Sequence, residues 1–225
     1  MVKSNKLFRG KIMIYTMPNM NSCKPLELIL NGVSLYERFN SKQQEHAEAL
    51  IQIAEKYSNE PKVKNAPLYS HLNSDYKALD KELVYHTNAL YNHTLFSRIL
   101  KPAELKIDIP SELKFSIKLF FNTFDKFVEE FYSKAVETKP EGWCWLVMNN
   151  GRLEIRVTGY TEPLIGEGID PLLCLYIPAE LNGKDYMELK KCYINLFLQN
   201  IHWNEVNALY LQGVMNFQQK NVFRR

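Results

Sequence analysis

Two histidines on one predicted helix come nearest to a metal site among the residues of this sequence. His86 and His93 lie seven residues apart on nearly the same helix face, and imidazole nitrogen is a common ligand for iron and zinc. Seven residues, however, correspond to a rise of about 10 Å, which is too far for one metal ion to span. The pair therefore predicts no shared site, and His93 is interpreted as a hydrogen-bonded core histidine. His46 and His71 are predicted to lie on the surface.

Other familiar catalytic patterns are missing from the sequence. It contains no glycine-rich phosphate loop, no Ser-His-Asp order and no pair of catalytic carboxylates. Gly166 and Gly168 belong to a loop that leads into a strand, whereas a phosphate loop opens a helix. The four cysteines show no CxxC spacing, and we interpret them as reduced core thiols of an intracellular protein: Cys23, Cys144, Cys174 and Cys192.

A predicted β-hairpin over residues 142–157 organises the second half of the chain. Side chains alternate at a period of two in both arms, which is the pattern of a pleated strand. Asn150 and Gly151 lie between the arms, and both residue types accept the positive φ angles that a two-residue hairpin turn requires. Trp143 and Trp145 are expected to pack in the core rather than to bind a cofactor.

Helical periodicity predicts two long helices before this hairpin and shorter helices around it. The first is predicted over residues 26–57, with a bend at Asn31-Gly32, and the second over residues 75–100. One loop joins them, so we expect an antiparallel helical hairpin. The apolar run 171–177 is predicted to be a third, central strand. Further helices are predicted after Pro110, after Asn122, over 185–199 and over 202–211.

Charge is nearly balanced over the whole chain but uneven at its ends. The 28 basic and 25 acidic residues give a net charge of +3, which permits an anionic partner without requiring one. No apolar run reaches the roughly 18 residues of a membrane span, so no membrane partner is expected. The first acidic residue is Glu27. The basic segment before it is interpreted as a targeting segment, an arm for an anionic partner or a solvated tail.

Both ends supply candidate contacts to RNA or to a partner protein. Lysine and arginine bind phosphate without reading sequence, and phenylalanine stacks on bases or packs against a neighbour. Disordered ends are the alternative interpretation. The candidates are Lys3, Lys6, Arg9 and Lys11 near the N-terminus and Phe217, Lys220, Arg224 and Arg225 near the C-terminus.

In the order of its motifs, the chain resembles the iron/manganese superoxide dismutase family over residues 26–210. Ser41-Lys42 and Asn92-His93-Thr94-Leu95-Phe96 are similar to the family's signatures in its two long helices. Gly142-Trp143-Cys144-Trp145-Leu146 resembles the family's Gly-x-Gly-Trp-x-Trp-Leu. Further similarities follow in the same order, at Phe120 to Phe127, Pro163-Leu164, Gly168, Pro171-Leu172-Leu173, Tyr193-Ile194, Ile201-His202-Trp203 and Val206.

The resemblance implies an α+β fold in two main parts. An N-terminal antiparallel helical hairpin is followed by an α/β domain with a three-stranded antiparallel sheet flanked by helices. The expected divisions are a basic arm over 1–25, the helical hairpin over 26–103, the α/β domain over 104–211 with its β-hairpin at 142–157, and a basic tail over 212–225.

The family's metal site takes three histidines and one aspartate, and the resemblance keeps one of these ligands. The first histidine falls on Phe39, or on Arg38 if the register slips by one, and the second falls on His93. The aspartate falls on Tyr176 and the last histidine on Glu180. One imidazole cannot hold a redox metal, so no metal, no cofactor and no catalysis are expected. Other positions of the family's site fall on Gln43, Ala47, Ser97 and, where one branch has a glutamine beside the metal-bound solvent, Glu154.

A dismutase-like fold without its ligands resembles the dismutase-like subunits of the mitochondrial small ribosomal subunit, which have lost the metal and pair as dimers. The resemblance implies a non-enzymatic structural role in the mitochondrial matrix. Ribosomal proteins, a second dismutase-like subunit and rRNA are the expected partners. The family's bridging glutamate falls on Ala179, so an altered contact or a hetero-partner is expected. The alternatives are a divergent iron or manganese dismutase and a metal-free scaffold in another mitochondrial complex.

Overall fold

Two long antiparallel helices form the N-terminal part of the fold. The computed structural model describes residues 28–30, 32–56, 81–101, 108–162, 164 and 169–222. Within them, α1 covers Leu35–Lys56 and α2 covers Lys81–Arg98. Phe39 of α1 contacts His93 of α2, and His46, farther along α1, contacts the earlier His86. The predicted helical hairpin is therefore confirmed.

The first helix begins later than the sequence pattern predicts. Strands β1 (Ile29–Leu30) and β2 (Val33–Ser34) pair as a short antiparallel hairpin, with Gly32 at a φ of 78° in its turn. The Ser34 hydroxyl oxygen accepts from the backbone N–H of Glu37 at 3.1 Å, and the Glu37 carboxylate accepts from the backbone N–H of Ser34 at 3.2 Å. This capping box fixes the start of α1. The prediction that the first helix already includes the residues before Leu35 is therefore wrong for those that the structure describes.

Four further helices follow among the residues that the structure describes in the second part of the fold. They are α3 (Ser111–Phe121), α4 (Phe124–Glu137), α5 (Met187–Gln199) and α6 (Trp203–Val222), with two short 3-10 turns before α5, Ala179–Asn182 and Lys184–Tyr186. The predicted end of the last helix near Leu211 is wrong, because α6 continues to Val222. Among the helices that the structure describes, we find none with the length and apolar character needed to cross a bilayer.

A three-stranded antiparallel sheet lies at the centre of this second part. Strand β3 (Gly142–Asn149) lies between β4 (Arg152–Gly159) and β5 (Ile169–Ile177). The predicted hairpin is confirmed, and Asn150 and Gly151 at its turn have φ angles of 48° and 81°. The predicted central place of the third strand is wrong, because β3 is central. Strand β5 is nevertheless apolar, since α2 and α6 pack against it.

The side chains of β3 form much of the core. Trp143 and Trp145 are fully buried, as predicted, and their indole N–H groups donate to the Tyr160 carbonyl at 2.9 Å and to the Thr158 hydroxyl at 3.0 Å. Three cysteines are described, and all are free thiols. Cys144 and Cys174 are buried as predicted, but Cys192 is exposed, so its interpretation as a core thiol is wrong. Cys23 lies outside the described residues.

We expect Gly142→Ala to lower the free energy of unfolding by about 2–3 kcal/mol, within the range known for overpacked sites. A Cβ at Gly142 would clash with the backbone carbonyl oxygen of Thr158 on the neighbouring strand. That oxygen cannot move away without disturbing the ladder between β3 and β4. Urea unfolding followed by circular dichroism measures the loss.

Gly159→Ala is the matched control, because Gly159 lies directly opposite Gly142 in the ladder. A Cβ at Gly159 would lie 3.8 Å from the Glu162 carboxylate, which is an ordinary contact. Equal losses in the two variants would contradict the assignment of the effect to the Thr158 carbonyl.

Candidate functional site

The structure brings together three of the four positions that correspond to metal ligands in the resemblance. Phe39 on α1, His93 on α2 and Tyr176 on β5 share one buried cluster. The ring centroid of His93 lies 4.4 Å from that of Phe39 and 5.8 Å from that of Tyr176. Trp143 on β3 completes this aromatic cluster, with its ring centroid 5.4 Å from that of His93. His93 is therefore surrounded mainly by aromatic rings.

A cavity of about 390 Å³ opens beside the aromatic cluster, and charged side chains are part of its lining. Arg38 donates to the carboxylate of Glu180 at 2.7 Å. Lys42 also lines the cavity and forms an ion pair with Glu141, whose carboxylate accepts a hydrogen bond from the Tyr176 hydroxyl. The fourth ligand position, Glu180, is thus engaged by an arginine.

A chain of hydrogen bonds connects His93 with His46 on α1 and His86 on α2. Nδ1 of His86 lies 2.9 Å from Nδ1 of His46, and Nε2 of His46 lies 2.7 Å from the Tyr160 hydroxyl. That hydroxyl also lies 2.9 Å from Nε2 of His93. We call these four residues the histidine–tyrosine chain. The surface prediction for His46 is wrong, because this side chain is 3 % exposed and faces α2. His71 lies outside the described residues.

The direction of donation in the histidine–tyrosine chain follows from its unpaired nitrogen. Nδ1 of His93 is buried and has no hydrogen-bond partner among the described residues. Buried N–H groups without a partner are rarer than buried acceptors without one, so we assign the proton of His93 to Nε2, which donates to Tyr160. Tyr160 then donates to Nε2 of His46, and Nδ1 of His46 donates to Nδ1 of His86. One direction of donation thus satisfies all three contacts.

Burial keeps these imidazoles neutral at physiological pH. The pKa of His46 is lowered to about 4, chiefly by burial and then by the charges of His86 and Lys42. Burial also lowers the pKa of His86, and it lowers the pKa of His93 well below its ordinary value. The pKa of the Tyr160 hydroxyl is raised, again chiefly by burial. The chain therefore consists of neutral donors and acceptors.

The donor atoms around His93 do not fit an iron or manganese site. Such a site needs several nitrogen and oxygen ligands directed at one point. Nε2 of His93 is engaged by Tyr160, both ring nitrogens of His46 are hydrogen-bonded, and Phe39 offers no donor atom. Within the described ranges, no group of three or more histidine, cysteine, aspartate or glutamate side chains is placed to hold a metal ion. The residues present suit a packed polar core.

Tyr160 is a residue of this site that no sequence motif indicated. Tyr160 follows directly after β4, and its hydroxyl is the polar group that contacts His93. Glu154, which falls on a glutamine position in the resemblance, lies within β4. Its carboxylate accepts from the Asn149 side chain at 3.0 Å and from Arg156 at 2.5 Å. Glu154 is therefore engaged by its neighbours on β3 and β4.

Two of the candidate RNA or partner contacts lie within the described residues. Phe217 lies on α6, and its ring packs against Gly151 at the turn of the β-hairpin, so it is engaged within the chain. Lys220 is exposed on the same helix. The other candidates lie outside the described residues: Lys3, Lys6, Arg9, Lys11, Arg224 and Arg225.

We expect Tyr160→Phe to lower the free energy of unfolding by about 2 kcal/mol, because each buried polar group left unpaired costs about 1–3 kcal/mol. The substitution removes the hydroxyl that lies between Nε2 of His46 and Nε2 of His93. Urea unfolding at pH 7 measures the loss. Tyr85→Phe is the control, since Tyr85 is exposed, and its unfolding curve should match that of the parent. Equal stability of the Tyr160→Phe chain and the parent would contradict the bridging role.

Two comparisons with known proteins found relatives of this chain. Residues 109–209 match the family described as iron/manganese superoxide dismutases, C-terminal domain. The chain is also 30% identical over 168 residues to the Superoxide dismutase [Mn] of Listeria innocua serovar 6a, an alignment that covers 73% of this chain and 83% of that relative. Since the second match reaches beyond the C-terminal domain and the observed helices and sheet follow the order that the motifs implied, the chain belongs to the iron/manganese superoxide dismutase family.

Proposed function

We propose that this chain is a non-catalytic structural subunit of the mitochondrial small ribosomal subunit. The observation that carries the proposal is the chemistry at the ligand positions of the family. Phe39 and Tyr176 present aromatic rings there, and Glu180 is paired with an arginine. His93 is hydrogen-bonded to Tyr160. In this chain the ligand positions serve packing and internal hydrogen bonds, which supports a structural role for the fold in a larger assembly.

The proposed partners are ribosomal proteins, rRNA and a second dismutase-like subunit in the mitochondrial matrix. Ala179 stands at the position of the family's bridging glutamate, and alanine has no carboxylate for that contact. The partner is therefore proposed to bind through a different contact, as a hetero-partner would. The proposed rRNA contacts are the basic residues of both ends, Lys3, Lys6, Arg9, Lys11, Lys220, Arg224 and Arg225.

A divergent iron or manganese dismutase is the competing function. The 30% identity to the Listeria Superoxide dismutase [Mn] favours it. The absence of a fitting donor set around His93 among the described residues argues against it. A metal-free scaffold in another mitochondrial complex is the remaining alternative. The residues at the ligand positions support it as well as they support the ribosomal role.

The test of the proposal is sedimentation of the tagged full-length chain from a mitochondrial lysate. The lysate is separated on a sucrose gradient, and small-subunit rRNA is measured in the same fractions. We expect the chain to co-migrate with this rRNA and to stay there at moderate salt, because protein contacts resist salt better than phosphate contacts do. Sedimentation as a free, dimer-sized species would contradict the ribosomal role.

Metal analysis and a dismutase assay on the purified chain distinguish the alternatives. We expect far less than one equivalent of iron or manganese and no dismutase activity. Metal near one equivalent together with activity would establish a dismutase and contradict the non-catalytic role. A metal-free chain that sediments apart from the ribosome would favour the scaffold in another complex.

A further inference from the structure

Four exposed apolar side chains lie on two neighbouring helices, α3 and α6. Phe115 and Leu119 on α3 are 69% and 62% exposed, and Leu211 and Met215 on α6 are also exposed. In each helix the two residues are four positions apart, so they share one helix face. We call these four residues the α3–α6 face. Exposed apolar residues that share helix faces on adjacent helices are a feature of interaction sites in soluble proteins.

The two helices run side by side in the same direction. The hydroxyls of Ser116 and Tyr210 lie 3.0 Å apart and join the helices beside the exposed residues. Both helices then reach the turn between β3 and β4, α3 through Phe120, whose ring centroid lies 5.9 Å from the guanidinium of Arg152, and α6 through Phe217. The exposed residues therefore lie beside the contact between two parallel helices.

Lysines outnumber acidic residues on the two helices that carry the α3–α6 face. Lys114 and Lys118 are exposed on α3 beside the apolar residues, and within the described part of the chain neither forms an ion pair. On α6, no acidic residue follows Glu205, and Lys220 near the end of the helix is exposed. Glu112 in the first turn is the acidic residue of α3. A partner with acidic side chains around its apolar contact would complement this surface.

We propose that the α3–α6 face binds an amphipathic helix of a neighbouring protein subunit, with acidic residues flanking the apolar stripe of that helix. An amphipathic helix buries its apolar stripe by packing it against an exposed apolar surface formed by two helices. The proposal rests on the proposed function in one respect, namely that a structural subunit has protein neighbours. The exposed apolar residues and the lysines beside them are properties of this chain alone.

Two other occupants fit the α3–α6 face less well. Sites for single-stranded RNA combine several cations with aromatic rings on which bases stack, whereas three of the four residues here are aliphatic. A second copy of the chain, paired through the same face by two-fold symmetry, would bring two equally lysine-rich surfaces together, with Lys114 and Lys118 on each. Like charges in such contacts disfavour association.

The test is photo-crosslinking from this face in the full-length chain, expressed in the cells from which the protein comes. A benzophenone amino acid replaces Leu119, whose exposure makes the change tolerable for the fold. The same amino acid at Val157, an exposed apolar position on β4, is the matched control. We expect adducts at Leu119 that exceed those at Val157 by about tenfold or more, on a segment of another protein with apolar residues at helical spacing and acidic neighbours.

Three results would overturn this docking site: adducts on RNA, adducts on a second copy of this chain, or adducts no more frequent than those at Val157. Replacing Lys114→Glu and Lys118→Glu together should reduce adducts at Leu119 by about fivefold or more, and an unchanged yield would overturn the acidic partner. A chain without specific adducts that still co-migrates with small-subunit rRNA would overturn the docking site alone. Specific adducts on a chain that sediments freely would overturn the ribosomal role alone.

Discussion

Lys190→Met is expected to lower the free energy of unfolding by about 3–5 kcal/mol, because several buried acceptors lose one charged donor at once. Lys190 is fully buried on α5. Its ammonium donates to the carbonyl oxygens of Val136 at 2.7 Å and Thr138 at 2.9 Å and to Oδ1 of Asn182 at 2.8 Å. Methionine keeps the apolar stem and removes the donors. Equilibrium urea unfolding at pH 7 measures the loss.

The positions of these acceptors explain the size of the expected loss. Val136 lies in the last turn of α4, Thr138 follows the end of that helix, and Asn182 ends the first 3-10 turn before α5. Lys190 on α5 therefore joins the end of α4 and the first 3-10 turn at one buried point. Burial, and then the charge of Lys139, lowers the pKa of Lys190 to about 8. The side chain is thus still protonated, and able to donate, at neutral pH.

Lys191→Met is the matched control for this substitution. Lys191 is the next residue on α5, and its ammonium is exposed and paired with Glu188 at 2.7 Å. Exposed ion pairs contribute little to stability, so the unfolding curve of this variant should coincide with that of the parent. A Lys190→Met chain as stable as the parent would show that the buried ammonium is dispensable to the fold.

The β-hairpin could be predicted from sequence because its signals are local. Alternation at a period of two fixes which side chains of β3 share a face, and Asn150-Gly151 specifies the turn. The central place of β3 could not be predicted in the same way. A strand covered by helices on its faces is apolar whether it is central or at an edge, and β5 is such a strand.

The length of α6 depends on a tertiary contact that the sequence pattern does not contain. Gly213 lies in the middle of the helix, and an interior glycine costs roughly 1 kcal/mol relative to alanine, so the pattern predicts an end near this point. In the fold, a Cβ at Gly213 would clash with the Met148 methyl group and lie 3.3 Å from Cβ of Asp170. Glycine is there because α6 approaches β3 and β5 closely.

The resemblance predicted which residues lie together in the candidate site, but it did not predict the hydrogen bonds among them. The resemblance places Phe39, His93 and Tyr176 together, and their rings do meet. His46 is polar, so its type favours the surface, although it lies four residues before the buried Leu50 on the same helix face. Its burial is compensated by Tyr160, which is 114 residues away in the sequence. Local patterns cannot supply a partner at that separation.

Between pH 6.5 and pH 4, we expect the free energy of unfolding to fall by about 3 kcal/mol through His46. The ordinary pKa of histidine is 6.5, whereas burial, His86 and Lys42 lower the pKa of folded His46 to about 4. In that window the unfolded chain binds more protons than the folded chain, so acid favours unfolding and stability rises with pH. Urea unfolding at a series of pH values measures this slope.

His46→Gln separates this contribution from that of the carboxylates, which titrate in the same range. Glutamine keeps one donor and one acceptor for Tyr160 and His86 but cannot gain a proton. The stability advantage of the parent over the variant should therefore shrink by about 3 kcal/mol as the pH falls from 7 to 4. The pKa of His93 is lowered by burial as well, so the variant retains the acid loss that comes from that residue. An advantage that stays constant with pH would contradict the enclosure of a neutral His46 between α1 and α2.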